Sequence, residues 1–91
     1  MQLDALRREI DEIDAALLPL LRKRLACARE VARYKKAKDL PVLNRAREEA
    51  ILADLSARSG ADADAICALY EAIFTVSRNL QEALMAEEDP C

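Results

Sequence analysis

From Asp4 to about Lys38 the chain runs for 35 residues without a glycine, and one seam threads this stretch: Leu3, Leu6, Ile10, Ile13, Leu17, Leu20, Arg24, Cys27, Val31 and Tyr34. Its steps alternate between three and four residues, the spacing of a helix packed along one stripe against other helices. At ~1.5 Å rise per residue, a helix over 4–38 is roughly 52 Å long. A compact chain of 91 residues has a radius of gyration of about 12 Å and is roughly 30 Å across. The helix is too long for its own globule. Either it projects into solvent with an apolar seam bare, or a second chain covers it. Within the seam, Arg24 places a guanidinium where a leucine is expected.

The rest of the chain reads as two further helices. Pro19 lies inside the first, off the seam, and removes one backbone donor. The apolar register is the same on both sides, so a kink near 15–19 is expected, with two shorter helices as the rival reading. Asp4 is a candidate N-cap. Asp39–Leu43, with Pro41, reads as a loop, after which Asn44 caps a second helix over about 44–58. Gly60 supplies a C-terminal stop. Asp62 or Asp64 caps a third helix, about 62–86, with a stripe of Ile66, Leu69, Ile73, Val76, Leu80 and Leu84. Residues 87–91 read as a frayed tail. The chain is thus a single all-α domain, 1–91, of long, short and medium helices.

Composition removes several function classes. There is no histidine, so imidazole acid/base chemistry, Ser/His or Cys/His nucleophilic pairs and His-containing metal sites are out. The three cysteines lack paired metal spacing, and Cys27 and Cys67 fall on apolar stripes, where buried structural thiols are expected. No metal or cofactor site is indicated. Residues 1–40 carry ten Lys/Arg against seven Asp/Glu, and residues 41–91 carry four against ten. The basic run from Arg22 to Lys38 lacks interleaved aromatics, and the net charge is −3; nucleic-acid binding is therefore not expected. No signal region or membrane-length apolar run is present, giving a cytoplasmic default with no membrane partner.

The informative polar residues sit on the helix faces. Arg24 and Lys35 are eleven residues apart, three turns plus about 20°, so they share a face about 16 Å apart along the axis and can reach toward one small anion. Lys35 also suits the negative end of a helix dipole, whereas an unpaired buried guanidinium at Arg24 is costly and calls for a ligand or ion pair. Arg7 lies about 42 Å from Lys35 along the same axis and cannot share its pocket within one chain. An antiparallel partner helix would bring it there, although an exposed arginine is the simpler reading of Arg7 alone. Ser77 and Gln81 are one turn apart on the third helix, suiting either a half-buried polar pocket or a solvated pair. Arg47 and Glu48 open the second helix, where Glu48 is also ordinary dipole chemistry. Such a set can bind a small dianion and stabilise developing charge. It suits a reaction whose bonds rearrange within the substrate.

The elements LRREIDEIDAALLPLLRKR, Lys35, PVLNRARE and SRNLQ, in this order and spacing, resemble the all-helical class of chorismate mutases over roughly residues 3–85. That resemblance implies an intertwined homodimer of three-helix chains. It implies the Claisen rearrangement of chorismate to prephenate, on the way to phenylalanine and tyrosine, without cofactor or covalent intermediate. Arg24, Lys35 and Gln81 take the catalytic positions. Arg7 matches the arginine that crosses from the partner subunit to a substrate carboxylate, and Arg24 the one gripping a carboxylate from within the chain, with Ser77 nearby. Lys35 matches the lysine that reaches a carboxylate and the ether oxygen, and Gln81 the second donor to that oxygen. Glu48 matches the carboxylate receiving the ring hydroxyl, with Arg47 the basic residue before it.

Two departures stand out. Asn44 occupies a position where the family often has Asp, and Pro19 interrupts a stretch usually free of proline. Isochorismate pyruvate lyase on the same scaffold is the nearest rival function, and a non-catalytic helical dimerisation or regulatory module is the rival from another class. Met1 and the acidic tail are read as the ends of a free-standing protein.

Overall fold

The computed structural model describes residues 2–87, and all its regular structure there is helical. Helix α1 spans Leu3–Ala37, α2 Arg45–Ser59 and α3 Ala63–Ala86, with a single 3-10 turn, Gly60–Asp62, between α2 and α3. Gly60 adopts φ 53° and ψ −126°, a conformation open to glycine because it has no Cβ. It lets α3 follow α2 with no loop between them. The tail expected to fray lies, beyond Glu87, outside the described residues.

Helix α1 is continuous through Pro19. The carbonyl of Ala15, which loses its usual i+4 donor to the proline, sits on an exposed stretch where water can serve it. The split into two shorter helices is not what the chain adopts. The N-cap is Gln2, which makes no side-chain cap bond; Asp4 instead lies in the first turn, where its charge complements the dipole. At the other end Leu40 N donates to Lys35 O over 2.8 Å and Asp39 N to Lys36 O over 3.3 Å. Asp39 has φ 55°. This is a Schellman closure with an aspartate in the left-handed position.

Asn44 caps α2 as expected, its Oδ1 accepting from Arg47 N at 3.1 Å. Asp62 holds the N-cap position of α3 but makes no side-chain cap bond, and Asp64 lies in the first turn. The 3-10 turn explains the difference: it delivers the chain to α3 already wound, leaving an aspartate side chain no exposed amide end to close.

Four contacts fix how the helices run. Arg24 lies against Tyr70 and Phe74, while Lys36 Nζ donates to the carbonyl of Glu87, so α1 and α3 are parallel. Glu48 pairs with Arg78 and Cys67 Sγ approaches Leu52 O at 3.8 Å, so α2 runs antiparallel to α3. The small residues Ala28 and Ala32 of α1 are buried.

Arg24 is level with Tyr70, and α3 begins at Ala63, so α3 runs out at about the level of residue 17 on α1. Below that level nothing among the described residues lies against α1, and every residue from Leu6 to Leu20 is exposed. The chain measures 60 × 29 × 14 Å with a radius of gyration of 16.8 Å, against about 12 Å for a compact globule of this length.

Two expectations about burial do not hold in the single chain. Cys27 is exposed and Cys67 half-buried; Cys27 faces a cavity, and Cys67 lies at the open α2–α3 flank. On α3 the buried residues are Phe74, Ser77 and Gln81, whereas Leu69 and Val76 of the apolar stripe are exposed. A face carrying a serine and a glutamine points inward because α1 and α2 enclose a polar cavity there. Leu69 and Val76 turn to the flank, while Ile66, Ile73, Leu80 and Leu84 of the same stripe are half-buried.

Candidate active site

A cavity of about 370 Å³ opens between the upper half of α1, the start of α2 and the middle of α3. That is within the ~300–1,000 Å³ usual for small-molecule sites. Arg24, Lys35, Asn44, Arg47, Glu48, Ser77 and Gln81 all line it. Arg7 does not. It is exposed on the bare half of α1, roughly 25 Å along the axis from Arg24.

Arg24 reaches the cavity over an aromatic platform. Its guanidinium carbon is 5.9 Å from the ring centroids of both Tyr70 and Phe74, and the two rings meet edge to face at 6.1 Å and 67°. Ring faces attract a cation but cannot accept the guanidinium's in-plane N–H bonds. Among the described residues, Arg24 has no hydrogen-bond or ion-pair partner, so those donors remain for an anion. This resolves the cost of placing an arginine in an apolar seam: its stem and face are packed, and its edge is open.

Lys35 is held differently. Its Nζ donates to the carbonyl of Val42 at 2.7 Å, and Val42 is itself buried against the cavity wall. An ammonium has three donors, so two remain for a ligand. The Schellman closure fixes this arrangement from the backbone side, because the carbonyl that Leu40 caps belongs to Lys35 itself.

Ser77 and Gln81 are buried one turn apart, with Gln81 Nε2 donating to Ser77 Oγ at 3.0 Å. In this orientation Gln81 Oε1 is buried without a partner. Turning the amide by 180° lets the serine hydroxyl donate to Oε1 and frees Nε2 as a donor. A ligand oxygen that accepts a hydrogen bond selects that second orientation, since it removes the unsatisfied group.

Asn44 spends its side-chain oxygen on the α2 cap, and Arg47 is exposed at the rim. Glu48 does not stand alone: Arg78 Nη1 donates to its Oε1. Arg78, Tyr70 and Phe74 are the residues that sequence reasoning passed over. The signal for Arg78 was there, since it sits four residues after Phe74 and so shares a face with Phe74 and Gln81. Four cations and one carboxylate now line the cavity, in a chain whose net charge is −3. Such a concave basic site concentrates field lines and favours a small dianion. Apolar wall is supplied by Val31, Ile51 and Phe74, among others. Among the described residues no group of His, Cys, Asp or Glu could hold a metal ion, and no helix is long and apolar enough to cross a membrane.

Residues 6–82 match the family described as chorismate mutase type II. A 4-amino-4-deoxychorismate mutase from Streptomyces venezuelae is 29% identical over 90 residues, covering 96% of this chain and 87% of that protein. One of the same name from Streptomyces pristinaespiralis is 33% identical over 87 residues, covering 92% of this chain and 67% of that protein. Among solved structures, a conserved hypothetical protein from Pyrococcus furiosus is similar with a TM-score of 0.69 and 37% identity, over 87% of this chain and 93% of that one. The family match spans the cavity-lining stretches of all three helices, from below Arg7 to just past Gln81, and the chain therefore belongs to the type II chorismate mutase family.

Proposed function

We propose that the chain catalyses the intramolecular Claisen rearrangement of chorismate to prephenate, as a homodimer whose two sites each borrow Arg7 from the partner. The observation that carries this reading is the convergence of Arg24, Lys35 and the Ser77–Gln81 pair on one cavity. In the rearrangement the ether C–O bond breaks while a C–C bond forms, and electrons shift within the substrate with no proton gained or lost. The protein need only hold the compact conformer and meet the charge that grows on the ether oxygen.

The carboxylates of a dianion have Arg24 and Lys35 to pair with, and Arg47 at the rim. The remaining donors of Lys35 and the Nε2 of the turned Gln81 amide are the groups to meet the ether oxygen. Each such donor, preorganised away from water, is worth about 3–4 kcal/mol in the transition state. Glu48 is left to accept from the substrate's ring substituent.

The dimer is supported by the bare half of α1. Leu3, Leu6, Ile10, Ile13, Leu17, Leu18 and Leu20 are exposed there, and Leu69 and Val76 on α3. Soluble monomers rarely leave so many large apolar side chains bare. A second copy laid antiparallel along α1 covers the seam and carries its Arg7 toward the cavity, which then gains a fifth cation.

A second reading, rearrangement of 4-amino-4-deoxychorismate, is favoured by the names of the two Streptomyces relatives. The test is to incubate the purified protein separately with chorismate, 4-amino-4-deoxychorismate and isochorismate and to identify products by chromatography. Prephenate from chorismate is the expected product. Turnover of the amino compound alone supports the second reading, and pyruvate released from isochorismate alone overturns both.

A further inference from the structure

Glu48 is the one acidic side chain among the described residues lining the cavity, and it is bound by Arg78 from the opposite helix. The pair spans thirty residues of sequence, with side chains only 33% and 23% exposed for Arg78 and Glu48 respectively. A strut joining α2 to α3 could be built anywhere along that interface. This one stands in the cavity wall, and both partners face the ligand space.

The chemistry of the cavity assigns a task to each charge. Substrate carboxylates are drawn to Arg24, Lys35 and Arg47 and repelled by Glu48, so the polar group left for Glu48 is a hydrogen-bond donor on the substrate. A bare carboxylate would accept from a hydroxyl and would attract an ammonium far more strongly. With a guanidinium on Oε1 the carboxylate keeps its acceptor lone pairs on Oε2, while its net field is cancelled. A hydroxyl still binds. An ammonium meets a charge-neutral pair with a cation at close range.

We propose, resting on the mutase reading above, that Arg78 is a specificity-determining positioning residue: by neutralising Glu48 it commits the site to a substrate whose ring substituent is an uncharged hydroxyl and disfavours the amino-substituted analogue. The inference separates this chain's substrate class from the activity for which its Streptomyces relatives are named. It also gives a reason for one more half-buried cation in an already basic cavity, which binding a dianion alone does not require.

The experiment measures kcat/KM for chorismate and for 4-amino-4-deoxychorismate with the wild type, Arg78→Met and Arg78→Lys. The expected wild-type ratio favours chorismate by at least tenfold. Arg78→Met is expected to move the ratio at least tenfold toward the amino substrate, and Arg78→Lys to keep the wild-type preference, because a lysine restores the charge. Simple loss of the strut would lower both rates together and leave the ratio alone. A ratio unchanged within twofold in Arg78→Met, or a wild type that prefers the amino substrate, overturns the proposal while leaving the mutase reading intact. If Arg78→Met does not fold, the wild-type preference and the ratio in Arg78→Gln decide it by the same limits. A wild type that turns over neither compound overturns both.

Discussion

Lys35 donates from Nζ to the carbonyl oxygen of Val42 across 2.7 Å, so the cation that closes α1 also anchors the loop leading to α2. The two ends of the contact have different consequences. Val42 is buried and forms cavity wall, and Lys35 is thereby held extended toward the ligand instead of sampling solvent. A flexible four-carbon stem loses its rotamer freedom on folding and not on binding substrate, which is how a lysine is preorganised.

Lys35→Ala is accordingly expected to lower kcat by at least two orders of magnitude, the loss typical of one oxyanion-type donor. Steady-state kinetics on chorismate with circular dichroism of the same sample separates this from unfolding. A folded variant with near-normal turnover would remove Lys35 from the site.

Gln81 carries no titrating proton, and an amide donates at any pH. The wild-type contact from Gln81 is therefore expected to keep its strength between about pH 5 and 8, since an amide has no proton to lose there. In Gln81→Glu a carboxyl can donate to the ether oxygen only while protonated. Ionised, it repels the developing charge. Activity of the variant should fall as pH rises, with the sharpest contrast to wild type at the alkaline end. A flat profile in Gln81→Glu would mean that position 81 does not contact the reacting oxygen.

Asp39 holds the left-handed position of the α1 closure with φ 55°. That conformation costs a non-glycine residue roughly 1–2 kcal/mol, part of which a glycine returns as unfolded-state entropy. Asp39→Gly is expected to raise stability by about 0.5–1 kcal/mol in urea unfolding. A decrease would indicate that the carboxylate makes a compensating interaction.

Much of the fold was legible because periodicity and punctuation agree. The 3–4 spacing from Leu3 to Tyr34, Asn44 as a cap, and Gly60 as a stop each state a local requirement that nothing distant overrides. The candidate cavity was legible for a related reason: Arg24, Lys35, Ser77 and Gln81 are polar groups on or beside apolar helical stripes.

What escaped depends on which neighbour lies opposite. The apolar stripe through Leu69 and Val76 gives no sign that α1 and α2 pack on the adjacent Phe74–Gln81 face instead. The exposure of Cys27 follows from a cavity that forms only when three helices meet. Arg78 reads as one more surface cation until α2 places Glu48 against it. Asp4 illustrates the converse, since a good capping residue is of no use when the helix has already begun one residue earlier.

In the proposed dimer each site is assembled from two chains, with Arg24 of one and Arg7 of the other on the same chorismate. Arg7→Ala and Arg24→Ala chains, each nearly inactive alone, can be co-refolded in equal amounts and assayed for prephenate formation. Random pairing puts half of the dimers in the mixed form, and each mixed dimer has one intact site. The expected rate is about one quarter of that of wild type at equal protein. A mixture no more active than the average of its two parents, with mixed dimers demonstrably present, would contradict a site shared between subunits.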